Sequence, residues 1–152
     1  MPLFETSTVL QCPAERAFDF LTRPTRVLEI LPDDSGVTYT NVPEQLSLAI
    51  RVEFDLGGFG TVQRVIHEVT EFNAIVQFVE SQLQGPLPHW RHEHLFEANG
   101  ANQVKVIDRI DFAPPGGLAG LLVTESRIRK SLETGFAHRH RRLKELLENG
   151  GV

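Results

Sequence analysis

Cysteine is nearly absent: Cys12 stands alone in 152 residues. No internal disulfide can form, and the count gives no sign of secretion. Paired CxxC motifs are missing as well, so the strongest sequence signature of a metal site is lacking. No stretch approaches ~18 consecutive apolar residues, so no transmembrane helix and no stable membrane insertion are expected. Met1 to Cys12 lacks the basic start and apolar run of a signal peptide, which leaves the cytoplasm as the expected compartment. Basic charge is in short supply, with 15 Lys and Arg against 20 Asp and Glu. A net charge of −5 disfavours nucleic acid and anionic membranes as partners. Linkers, repeats and low-complexity segments are absent too. What remains is ordinary globular composition, 41% hydrophobic and 23% charged, of a length that suits one domain over residues 1–152.

Two periodicities divide the chain. Phe4 to Leu10 reads as a strand rich in Thr and Val. Cys12-Pro13-Ala14-Glu15 reads as a helix start, and that helix runs to about Leu21. A second short helix is expected from Thr25 to Ile30, between Pro24 and Pro32. Period two then takes over. Val37 to Asn41 is a short strand. From Gln45 to Leu56, Leu46, Leu48, Ile50, Val52, Phe54 and Leu56 alternate with polar or small residues, and Gly57-Gly58 makes the turn. Phe59 to Thr70, Ala74 to Leu83, His89 to Ala98 and Gln103 to Phe112 follow as further strands with short connections.

After Pro114-Pro115-Gly116-Gly117 the period becomes helical. Leu118, Leu121, Leu122, Ile128, Leu132, Phe136, Leu143, Leu146 and Leu147 predict one helix of roughly 30 residues ending near Glu148, ~45 Å long. The predicted fold is α+β: a curved antiparallel sheet of about six to seven strands wrapped around this helix, with two short helices after the first strand. A sheet this long must curl to cover its apolar face. Helix and cupped sheet part at one end, and the gap is a natural small-molecule cavity.

The opening strand followed by Pro13-Ala14-Glu15-Arg16-Ala17-Phe18-Asp19-Phe20 resembles the START-like superfamily, also called SRPBCC or birch-pollen-allergen-like. So do Phe78, Gly85-Pro86, Trp90, His92, His94 and Phe96, then Asp108 and Phe112. The likeness spans essentially the whole chain and is strongest to the bacterial ligand-binding branch. It implies the helix-grip fold. It also implies a function among those of the superfamily, whose members bind lipids, hormones, quinones and polyketides or act as cyclases, dehydratases or oxygenase domains.

Strand geometry adds a site of its own. Trp90, His92, His94 and Phe96 share one face of their strand. A four-residue loop at Asn99 to Asn102 pairs Ala98 with Val104, setting His94 opposite Asp108 and Trp90 opposite Phe112. A two-residue slip would set His92 opposite Asp108 instead; in either register an inward carboxylate meets an inward imidazole. Phe78, Glu80 and Gln82 join them if their face also looks inward. Three readings of this constellation stand. It braces the sheet as a satisfied His–Asp pair. It anchors the head of a mostly apolar ligand. Or it performs acid–base or metal chemistry, with His92, His94 and Asp108 as the catalytic or ligating set. No serine or cysteine nucleophile stands out, and no cofactor is expected.

The expected cavity wall is Leu48, Ile50, Val52, Phe54, Phe78, Trp90, Phe96 and Phe112, with Leu132 and Phe136 from the helix. Glu80, Gln82, His92, His94 and Asp108 are the expected polar anchors. Gly135 either leaves room for the ligand or the sheet, or is a tolerated kink. Arg64 is placed at an exposed or rim position. Gly116, Gly117 and Gly120 flank an apolar run that is either a gate over the cavity or a plain loop entering a helix. The basic cluster from His138 to Lys144 suits a helix C-terminus better than nucleic acid. Cys12 is expected in the core. The leading functional reading is binding or transport of a small, mostly apolar molecule. A cyclase- or dehydratase-type enzyme and a protein-interaction module are the alternatives. Exposed edge strands would permit a homodimer.

Overall fold

The computed structural model describes residues 2–59 and 61–148. Seven antiparallel strands form one sheet in the order β1-β7-β6-β5-β4-β3-β2. They are β1 (Leu3–Leu10), β2 (Val37–Asn41), β3 (Arg51–Phe59), β4 (Thr61–Asn73), β5 (Gln77–Gln84), β6 (His89–Ala98) and β7 (Val104–Ala113). Helices α1 (Ala14–Leu21) and α2 (Pro24–Val27) follow β1, and a single 3-10 turn covers Leu28–Ile30. Helices α3 (Ala119–Leu122) and α4 (Glu125–Leu147) close the chain. This is the α+β helix-grip arrangement that the sequence predicts.

Pro13 caps α1, and Ala14, Ala17, Phe18, Phe20 and Leu21 bury its apolar side. Phe18 meets Phe72, Phe78 and Phe96 edge-on at 5.5, 5.9 and 5.1 Å between ring centres. Burying one such ring contributes roughly 1.5–3 kcal/mol. Thr22 ends the helix by donating its hydroxyl to the Phe18 carbonyl at 2.9 Å.

The strand expected from Gln45 begins only at Arg51. Backbone partners outside the ladder explain the difference. Leu46 N donates to Thr22 O at 2.7 Å, which ties this segment to the end of α1. Ala49 then takes a left-handed conformation (φ 68°) and turns the chain into the sheet. Leu46 is buried beside α1, whereas Leu48 is 62% exposed. At the far end of β3, Gly36 O accepts from Gly57 N at 3.0 Å. Gly36 has φ 77°, and a Cβ there would stand 2.8 Å from Gly57 O. The expected turn at Gly57-Gly58 is corrected, because β3 continues to Phe59. The next turn also moves: β4 continues to Asn73, and Val76 N donates to Asn73 O at 2.9 Å.

The β6–β7 hairpin has the predicted register, with Ala98 opposite Val104, His94 opposite Asp108 and Trp90 opposite Phe112. The long helix is shorter than expected. Thr124 accepts a hydrogen bond from Arg127 N on its side chain at 3.3 Å and so starts a new helix. The apolar run before it becomes the separate turn α3, whose Leu121 and Leu122 are exposed. Helix α4 buries Ile128, Phe136, Leu143 and Leu147. No helix among the described residues is long and apolar enough to cross a membrane.

Candidate functional site

Two apolar clusters fill the space under the sheet. One gathers Leu10, Phe18, Phe78, Phe96, Val104, Val106, Leu143 and Leu147. The other holds Phe4, Leu87, Ile110, Phe112, Ile128 and Phe136, with Trp90 and Leu132 against it. Along β6 and β7 the boundary between them is polar and consists of His92, His94 and Asp108, all buried.

These groups form a closed chain of contacts. Asp108 Oδ1 accepts from His92 Nε2 at 2.7 Å and lies 3.3 Å from His94 Nδ1, off the hydrogen-bond direction. His94 Nε2 donates to Glu80 Oε1 at 3.0 Å, and the second Glu80 oxygen is 3.6 Å from His67 Nδ1. The His92 and His94 rings stack at 3.8 Å, and Phe78 covers the other face of His94 at 4.0 Å.

The shared environment drives the two imidazoles apart. Burial holds His92 down to about 4, the charge of His94 adds to this, and Asp108 pulls the other way. Burial also opposes protonation of His94, but its contacts with Asp108 and Glu80 win and raise its pKa. For Asp108 and Glu80 burial alone would raise the pKa; the facing imidazoles outweigh it and hold both carboxyls well below the usual range. His92 is therefore neutral with its proton on Nε2, and its Nδ1 is a bare lone pair. An imidazole oriented in this way by a carboxylate is what a general base requires. His92, His94 and Asp108 also bring one ligand atom each within 4.8 Å of one another, close enough to hold a metal ion. Asp108 Oδ1 itself stands between the two ring nitrogens, 2.7 Å from His92 Nε2 and 3.3 Å from His94 Nδ1.

Two adjoining chambers lie beside it. The larger, about 770 Å³, runs between β3–β6 and the α3–α4 segment. Leu56, Val65, Trp90, Val123, Ile128 and Leu132 form much of its apolar wall, and Gln82 and Arg127 supply polar atoms. The smaller, about 220 Å³, is lined by Tyr39, Val52, His67, Glu80, His92, His94 and Arg139 among others. Phe54, His67 and Trp90 border both. A site of this size and mixed lining is typical for a small organic ligand.

The expected site residues divide accordingly. Val52, Phe54, Glu80, Gln82, Trp90, His92, His94 and Leu132 line a chamber. Phe78, Phe96, Phe112, Phe136 and Asp108 are buried behind that lining. Ile50 packs on the first apolar cluster, outside both chambers. Leu48 is a correction: it sits in the turn before β3 and faces away from the cavity. A Cβ on Gly135 would meet no atom within 4 Å, so the glycine answers no steric demand of the sheet. Arg64 is on the outer face and pairs with Asp55 at 3.0 Å. Cys12 is buried, and burial pushes its thiol up.

Sequence reasoning missed Tyr39, His67 and Arg139. For His67 the signal was present, since it shares a strand face with the buried Val65 and Val69. Arg139 was hidden in the basic cluster, although its place three residues after Phe136 sets it on the sheet side of α4.

Residues 23–147 match the family model described as a domain of unknown function, DUF8410. A search of curated protein sequences finds no match. Among solved structures, TTHA0849 from Thermus thermophilus superposes with a TM-score of 0.74 at 14% identity, covering 95% of both chains. A START superfamily protein from Mycobacterium smegmatis gives 0.72 at 13% identity, covering 96% of this chain and 97% of that one. The di-domain ARO/CYC StfQ of the steffimycin biosynthetic pathway gives 0.69 at 16% identity, covering 99% of this chain and 52% of that one. At these identities the likeness is one of fold. The chain belongs to the DUF8410 family and has a START-like helix-grip fold.

Proposed function

We propose that this protein binds or carries a small, mostly apolar molecule between the sheet and α4. The observation that supports this reading most directly is the chamber of about 770 Å³, apolar over most of its wall and sharing Phe54, His67 and Trp90 with a smaller chamber that Glu80, His92 and His94 also line. The apolar wall supplies affinity without direction, and the buried polar groups fix orientation. On this reading Glu80, Gln82, His92 and His94 are the anchors, and Asp108 holds the two imidazoles in place.

Native mass spectrometry of freshly purified protein, compared with its denatured mass, tests the reading. An added mass of a few hundred daltons, released on denaturation, is the expected result. His94→Ala protein should lose this added mass at a temperature where it remains folded. Bare protein, from cells and again after incubation with a hydrophobic metabolite extract, would contradict the proposal.

A second reading has its own support. His92, whose pKa burial lowers, is held by Asp108 beside His94, whose contacts with Asp108 and Glu80 raise its pKa, so the two imidazoles are set apart as proton acceptor and proton donor. A polyketide aromatase/cyclase is also among the structural relatives. As an enzyme of the cyclase or dehydratase type, the protein would use His92 to take a proton from a carbonyl-activated carbon, in a cavity that excludes water. His92→Phe should then abolish turnover while binding persists.

A further inference from the structure

The donors and acceptors of the small chamber do not balance. Both carboxylates near it already face imidazoles: Asp108 Oδ1 accepts from His92 with His94 Nδ1 3.3 Å away, and Glu80 accepts from His94 with His67 Nδ1 3.6 Å away. Besides His94 Nδ1, which has no hydrogen bond, three donors of the lining have no partner. Trp90 Nε1 is buried without a hydrogen bond. Arg139 lines the chamber, its guanidinium lies 4.8 Å over the Phe136 ring, and no carboxylate among the described residues pairs with it. The Tyr39 hydroxyl, in the same lining, bonds to no described residue. Against these, the lining offers the His92 Nδ1 lone pair, which has no partner among the described residues. Buried polar groups are as a rule paired, so surplus donors at a cavity wall call for an acceptor supplied from outside.

Charge narrows the choice. The negative Glu80 and Asp108 are matched by His94, flanked by a carboxylate on each ring nitrogen, and by Arg139. A further buried charge would have no counterpart and would be costly to desolvate.

We infer that the small chamber receives a neutral carbonyl oxygen at the head of the ligand, with Trp90 Nε1, Arg139 and the Tyr39 hydroxyl as its donors. The rest of the ligand extends past Phe54 and Trp90 into the large chamber. This inference rests on the binding function proposed above.

Trp90 is the only tryptophan, so its emission reports on the head of the site directly. Three probes of matched chain length separate the possibilities: 2-octanone, 1-octene and octanoate, with excitation at about 295 nm, at the edge of the weak ketone band. The ketone should bind about tenfold more tightly than the alkene, the effect of one good buried hydrogen bond, and should shift Trp90 emission to longer wavelength. Arg139→Met and Tyr39→Phe should each narrow the ketone-to-alkene ratio toward one. Equal affinity of ketone and alkene would overturn the carbonyl head and leave the apolar cavity standing. Tightest binding by octanoate would overturn the neutral head in favour of an anionic one. Failure of all three probes to bind would overturn this inference and the binding function together.

Discussion

At one end of the cupped sheet, Phe78 and Phe96 meet Phe18 of α1, and the interior is filled. At the other, Trp90 and Leu132 border open space of about 770 Å³. Both ends are built by the same strands with the same alternation. What differs is the third layer: α1 packs on the first end, and nothing of comparable bulk among the described residues packs on the second. The alternation of a strand says which face is inward. Whether that face becomes core or cavity depends on what the rest of the chain brings to it.

The contrast can be broken most strongly at the filled end. Phe18→Ala should cost about 3–5 kcal/mol, because three aromatic neighbours lose their partner and cannot collapse into the space. Urea denaturation measures it, and a loss of ~1 kcal/mol would mean that the filled end is loosely packed.

At the boundary, Asp108→Ala leaves His92 Nε2 without its acceptor and His94 Nδ1 without the carboxylate it faces. A loss of about 1–3 kcal/mol is expected in the same experiment.

Stability should also follow pH through this boundary. The folded pKa of His92 is about 4, below its ordinary 6.5. Between these values the unfolded chain binds a proton that the folded chain refuses, so stability falls as the pH drops through that window. His94 acts oppositely: its raised pKa contributes stability that is full below the ordinary value and is lost as pH rises through the folded one. The depressed Glu80 and Asp108 add a further loss below about 4. Stability should therefore peak near neutrality. His92→Asn should flatten the limb between 6.5 and 4, the interval between the ordinary and folded values. An unchanged limb would assign it to other groups.

The smallest effect belongs to the hollow end. Leu132→Ala only enlarges an existing space and should cost about 1 kcal/mol or less, well under the usual range for buried leucine.

These contrasts also explain how far the sequence could be read. The β6–β7 register was legible because two alternating runs flank a loop of fixed length, and it brought His94 to Asp108. The same periodicity grouped Glu80 with Phe78 and Gln82, but it did not say which way their face looks. Leu48 was not, since the competing bond from Leu46 to Thr22 comes from a distant helix end and leaves no trace in local alternation. The break before α4 was hidden because Thr124 is neutral in a hydrophobic pattern, yet it acts as a cap. Arg139 was hidden because charge on a helix is read as solvated unless the packing of that helix is known. The hollow itself follows from the geometry of helix on curved sheet, but its position depends on where α1 packs.

The most direct test is saturable binding of an apolar fluorescent probe such as N-phenyl-1-naphthylamine to the wild-type protein and to Leu132→Trp, which places an indole in the large chamber. One probe per wild-type chain, and loss of that binding in a variant that keeps its unfolding midpoint, is the predicted result. Equal binding by both proteins, or none by the wild type, would contradict a ligand site between the sheet and α4.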